Sequence, residues 1–86
     1  MIVLIYGGMR QYAGGVGSFV PNSSQSLRML IDELGCRFGD HFKELLLCGE
    51  NCFFLINGRG IMATGGLDTP LSPGDRVEVM PFIDAG

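Results

Sequence analysis

Three cysteines, one histidine and a tail of small residues are the parts of this sequence whose types could do chemistry. Cys48 and Cys52 stand in a C-x3-C spacing, but a closed zinc site takes four ligands and His41 is the only histidine, so no metal centre is expected. The odd number of cysteines argues against a disulfide framework and for reduced thiols, buried or half-buried, in a cytoplasmic chain. Asp40 precedes His41, yet neighbours in a helix point to different faces and no nucleophile stands close by, so an acid–base pair is not expected there. The pairs Gly14–Gly15 and Gly65–Gly66 are not followed by the Gly-Lys-Ser or Gly-Lys-Thr of a phosphate loop and read as turns.

What remains is the run Met80-Pro81-Phe82-Ile83-Asp84-Ala85-Gly86. It is expected to leave the last strand at the proline, giving a single domain over residues 1–80 and a flexible tail over 81–86. Six extended residues reach at most ~20 Å, enough for the tail to enter a partner's active site while the body docks outside. A final glycine has no Cβ, so its carboxylate can pass a narrow channel in backbone conformations closed to other residues. Phe82 and Ile83 are large apolar groups where a frayed end would be polar, which marks a binding surface.

The elements that must position this tail fit in one small domain. With 86 residues and 47% hydrophobic side chains there is room for one core, and a domain this size buries only about 60% of its unfolded surface. A net charge of −3 and a pI near 4.8 argue against nucleic acid, whose phosphates need clustered Lys and Arg. The apolar stretch 1–6 is far short of a membrane span, and no basic stretch precedes it as in a signal peptide.

Residues 1–6 read as a strand covered on both faces, 9–15 as a loop, and 16–20 as a second strand paired back on the first. Ser24 or Ser26 caps a helix whose apolar face is Leu27, Leu30, Ile31, Leu34 and Phe38, with Gly39 as its stop. Asp40 opens a short further helical turn bearing Phe42, Leu45 and Leu46. After a turn at 49–51, residues 52–56 form a third strand. Asn57–Gly58 turns it into a short fourth at 59–62, and 76–80 form a fifth after the turn at Ser72–Asp75. Strands before and after one main helix predict an α+β domain with that helix across a mixed sheet of four to five strands.

The motifs IYGGMRQYAGG at 5–15, SLRMLIDEL at 26–34, FLINGR at 54–59 and LDTPLSPGDRVEVMPFIDAG at 67–86 resemble the MoaD/ThiS family of sulfur carrier proteins, over nearly the whole chain. The resemblance implies a ubiquitin-like β-grasp fold and a carrier that is not itself an enzyme. In that family an adenylating enzyme of the ubiquitin-activating type uses ATP to join the terminal carboxylate to AMP, and a sulfur donor displaces AMP to leave a thiocarboxylate. By carry-over Gly86 bears the sulfur, Met80 to Ala85 thread into the partner enzymes, and Arg10 matches a basic position of the family's first loop. No bound cofactor is implied. Length and the MRQYAGG loop resemble MoaD, whose acceptor is the large subunit of molybdopterin synthase. The family pattern ends in Gly-Gly where this chain has Ala85-Gly86, which adds a methyl group in the tightest part of the path.

Other readings of the same residues are a ThiS-like carrier for thiamine or another sulfur pathway, a ubiquitin-like modifier that joins its terminus to lysine, and a plain β-grasp interaction domain. A β-grasp ferredoxin is excluded, since its cluster needs four cysteines.

Overall fold

Period-two alternation in three strands builds the centre of the molecule, a computed structural model that describes residues 1–22, 25–48 and 50–82. In β1 (Ile2–Ile5), β3 (Cys52–Ile56) and β5 (Arg76–Pro81) every second side chain is buried: Val3, Ile5, Cys52, Phe54, Ile56, Val77 and Val79. Those seven face two helices, α2 (Leu27–Phe38) and α3 (Asp40–Cys48), whose buried residues are Leu27, Leu30, Ile31, Leu34, Phe42 and Leu46. The sheet is completed by two short edges, β2 (Ser18–Phe19) and β4 (Arg59–Gly60), in the order β2-β1-β5-β3-β4. β1 and β5 run parallel in the middle and every other pair is antiparallel. This is the mixed five-stranded α+β arrangement expected of a ubiquitin-like β-grasp domain.

Local chemistry sets the boundaries. Ser26 is extended at φ −147°, and its Oγ accepts the Met29 amide at 3.2 Å, capping α2. The alternative cap, Ser24, lies outside the described residues. α2 stops at Gly39, whose φ of 108° is closed to most side chains. Asn57 is the one non-glycine with positive φ among the described residues, at 53°, and with Gly58 at 83° it makes the tight β3–β4 turn. Its side chain then clamps that turn to β5: Nδ2 donates to Asp75 Oδ1 at 2.9 Å and Oδ1 accepts the Arg76 amide at 3.0 Å. This bond, with a second from the Ser72 amide, holds the Asp75 carboxyl below its ordinary range.

The run LDTPL has a positional reason too. Leu27 N donates to Thr69 O and Leu71 N to Gln25 O, each at 3.0 Å, so residues 69–71 lie antiparallel to the start of α2 and fix where that helix begins. Thr69 is buried, and its hydroxyl donates to Gly66 O at 2.6 Å.

Five expectations change. β1 is covered on one face only: Ile2 is 40% exposed and Leu4 half-buried, because both helices pack on the same side. The segment 9–15 contains a helical turn, α1 (Met9–Tyr12), which buries Met9 and Ala13 in the core. The strands at 16–20 and 59–62 shrink to β2 and β4, the second giving way to a 3-10 turn at Ile61–Ala63. The further helical turn at Asp40 is a nine-residue helix beside the main one. Finally, β5 includes Pro81, paired with Cys52. Tyr6 N donates to Val79 O, so residue 81, two further on, turns the same edge towards β1 after β1 has ended, and its missing N–H costs no ladder bond. The predicted turn at 49–51 has Gly49 outside the described residues.

Candidate functional site

The same alternation that fills the core turns a second set of side chains away from the helices. Leu4 and Tyr6 project from the β1 side, Glu78 and Met80 from β5, and Phe53 and Leu55 from β3; all are half-buried. Register brings Leu4, Glu78 and Leu55 side by side, with Met80 beside Phe53. Phe82 follows β5, its amide donating to Asn51 O at 3.3 Å and its ring 5.1 Å from that of Phe53. Phe82 stays 53% exposed. The result is a largely apolar sheet face that runs to the point where the tail departs.

One carboxylate interrupts this face and is locally satisfied. Glu78 Oε1 is 3.6 Å from Arg76 Nε, and its carboxylate lies near the Tyr6 phenol. The Glu78 carboxylate first, and burial second, hold the Tyr6 phenol above its ordinary range.

Of the residues expected at the site, Met80 and Phe82 are brought together here, while Pro81, paired with the inward-facing Cys52, turns to the helix side. Ile83, Asp84, Ala85 and Gly86 lie outside the described residues. Arg10 stands on α1 instead of in a loop, and its Nε donates to Ile5 O at 2.8 Å. Its guanidinium also lies against Gly17, where a Cβ would come within 3.1 Å of Nε. Arg10 thus ties α1 to the β1–β2 corner. Sequence reasoning missed Tyr6, Phe53 and Leu55, which it placed in strands without asking which face they take. The signal was present in the alternation of CFFLI once Cys52, Phe54 and Ile56 are assigned inward.

The cysteines do not contribute to this face. Cys36 and Cys48 are exposed, contrary to the expectation of covered thiols, because both sit on the outer side of their helices. Cys52 is 3% exposed. Burial first, and the neighbouring Cys48 second, push its thiol up to about 11 from 9.0. At pH 8 the folded protein therefore carries about a hundredfold less Cys52 thiolate than an ordinary cysteine. Iodoacetamide is expected to label Cys36 and Cys48 promptly and Cys52 only on unfolding, read by peptide mass mapping. The sign for stability follows: the unfolded thiol ionises first, so stability falls as pH climbs from 9.0 towards 11. Among the described residues no His, Cys, Asp and Glu cluster is placed to hold a metal, and no helix is long and apolar enough to cross a membrane.

Comparison with known proteins gives the arrangement relatives. The model of the ThiS family matches residues 3–86. No curated protein sequence matches the chain. Among solved structures, the Amycolatopsis orientalis BexX/CysO complex contains a chain 22% identical at a TM-score of 0.83, covering 99% of this chain and 98% of that one. The small archaeal modifier protein 1 from Methanosarcina acetivorans is 24% identical at 0.80, covering 99% and 94%. A Pyrococcus furiosus protein named as molybdopterin converting factor, subunit 1, is 30% identical at 0.69, covering 95% of each chain.

Proposed function

Because the chain belongs to the ThiS family of ubiquitin-like sulfur carriers, we propose that it carries sulfur as a thiocarboxylate on Gly86 and docks on its partner enzymes through the open face of the sheet. The observation that carries this reading is the continuity between the apolar face and the tail: Met80 and Phe82 lie on the face and lead directly into it.

A carboxylate is a poor electrophile, so the sulfur must enter after activation. The Gly86 carboxylate attacks the α-phosphorus of ATP on an adenylating enzyme of the ubiquitin-activating type, and pyrophosphate leaves. A sulfur nucleophile then adds to the acyl carbon and AMP departs with the bonding pair. The acid–base and metal chemistry of both steps belongs to the partner enzymes. Its work is positional: the face fixes the body on the enzyme, and Ile83 to Gly86 span at most ~14 Å to the reacting atoms. Arg10, tied to Ile5 O, presents its remaining N–H groups beside this corner as a partner contact.

The acceptor best supported is the large subunit of molybdopterin synthase, since the Pyrococcus furiosus protein named for molybdopterin conversion shares 30% identity over 95% of the chain. The test is ATP–pyrophosphate exchange by the adenylating enzyme of the same organism. The chain should stimulate it, deletion of Gly86 should remove the stimulation, and equal exchange with the deleted chain would refute the assignment.

A further inference from the structure

Asparagine followed by glycine is the pair at which a chain most readily changes its own covalent structure, because glycine has no Cβ to shield the backbone nitrogen. At Asn57–Gly58 the glycine nitrogen would give up its proton and attack Cγ of Asn57, ammonia would leave, and a five-membered imide would remain. Water then opens the ring on either side, to aspartate or to isoaspartate, in which the backbone runs through the side chain. A water is consumed and an ammonia released, with no oxidant or reductant. Asn57–Gly58 is the one such pair in the sequence, since Asn22 and Asn51 precede Ser23 and Cys52.

Both residues are exposed, so water and hydroxide reach the turn. What opposes the reaction is the way Asn57 is bound to the start of β5. Its amide donates to Arg76 O at 2.8 Å, its Oδ1 accepts the Arg76 amide at 3.0 Å, and its Nδ2 donates to Asp75 Oδ1 at 2.9 Å. The two side-chain bonds fix Cγ towards β5. To reach bonding distance of the Gly58 nitrogen, the side chain must swing away from both partners. The peptide it would attack is held as well, because Ile56 pairs with Arg59 across the turn.

Neither product rebuilds this clamp. An aspartate keeps an oxygen for the Arg76 amide but has lost the donor to Asp75. It also sets a second carboxylate against one that the bonds from Asn57 and Ser72 hold below its ordinary range, and which is therefore ionised at neutral pH. Isoaspartate adds a methylene to the backbone of the tight turn and disturbs the register on which β4 depends.

We infer that Asn57 is a site of self-catalysed deamidation gated by its clamp to Asp75 and Arg76: the folded chain is protected, a chain whose turn has opened is converted, and conversion leaves the clamp broken. The site thus records time spent open. It lies outside the sulfur-carrying reading and stands or falls without it.

The experiment needs no partner. The whole chain is incubated at pH 8, well below its melting midpoint, as wild type, as Asp75→Ala, and as wild type unfolded in urea at the same temperature. Intact mass follows the exchange of NH2 for OH. Peptide mapping assigns the residue and separates isoaspartate from aspartate against synthetic standards, with Asn22 and Asn51 in the same digest as references.

The unfolded chain is expected to convert at residue 57 at least about tenfold faster than folded wild type. Asp75→Ala should convert several-fold faster than wild type while a thermal melt shows it folded. Asp75→Asn, which keeps the shape and an acceptor oxygen, should fall between them, and it supplies the folded comparison if Asp75→Ala unfolds. Asn57→Asp, the product made directly, should melt about 4–8 °C below wild type. Folded wild type converting at residue 57 as fast as the unfolded chain would overturn the inference. So would folded Asp75 variants no faster than wild type, or an Asn57→Asp protein with an unchanged midpoint.

Discussion

Replacing Phe53 by Asp should weaken binding to the adenylating enzyme by about 30- to 1,000-fold while leaving the domain folded. Phe53 lies at the centre of the open face, beside Met80 and under the ring of Phe82. In the complex these side chains become the dry middle of an interface, where truncating an anchor or burying a charge costs roughly 2–4 kcal/mol. In the free protein the same carboxylate stays partly solvated, since Phe53 is only half-buried, and a strand-surface substitution costs about 1 kcal/mol. Calorimetric titration against the enzyme, beside a thermal melt, separates the two effects. Phe53→Leu keeps an apolar anchor and should bind within about tenfold of wild type. A Phe53→Asp protein that binds normally would show that another surface docks.

Phe42→Ala should have the opposite profile. Phe42 is 1% exposed on α3 and its ring lies edge-on to Phe38, 5.5 Å away, which in turn meets Phe19 of β2 at 5.7 Å. Removing it leaves a cavity among three elements, at a cost of about 3–5 kcal/mol. A domain this small has only about 5–10 kcal/mol in all. Its melting temperature should fall by roughly 15–30 °C. Binding measured well below the new midpoint should hold within a few-fold, because nothing on the open face is altered. A melting temperature within a few degrees of wild type would mean that α3 contributes little to the core.

The contrast between these two positions shows how legible the molecule was. The α2 stripe, a serine cap at Ser24 or Ser26, the Gly39 stop and the Asn57–Gly58 turn were all readable, because each depends on a residue's own geometry or on helical spacing. The strand at Cys52–Ile56 and the start of β5 were legible for the same reason. What escaped depended on layers. MIVLIY reads as a strand buried twice over, and only the placement of both helices on one side reveals that Leu4 and Tyr6 face outward. The short edges β2 and β4 were overextended because an edge strand ends where its neighbour does, which no local pattern records. The tail's chemistry was visible in its small terminal residues and its resemblance to sulfur carriers, whereas the face that delivers it required the register between β3 and β5.

The same register accounts for Pro81, which looked like the end of the last strand. At a position whose N–H would point past the end of β1, proline continues β5 and carries Phe82 onto Phe53. The ladder and the Phe53–Phe82 contact thus continue up to residue 82, so a docked face specifies where a carboxylate four residues further on can reach.

The central claim is tested most directly by intact-protein mass spectrometry after incubation with the adenylating enzyme, ATP and a sulfur donor. The wild-type chain should gain the mass of one sulfur in place of one oxygen, at Gly86, and the chain lacking Gly86 should gain nothing. Ala85→Gly, which restores the family's terminal pair, should load at least as fast as wild type. A wild-type chain that keeps its unmodified mass while Ala85→Gly takes up sulfur under the same conditions would contradict the account.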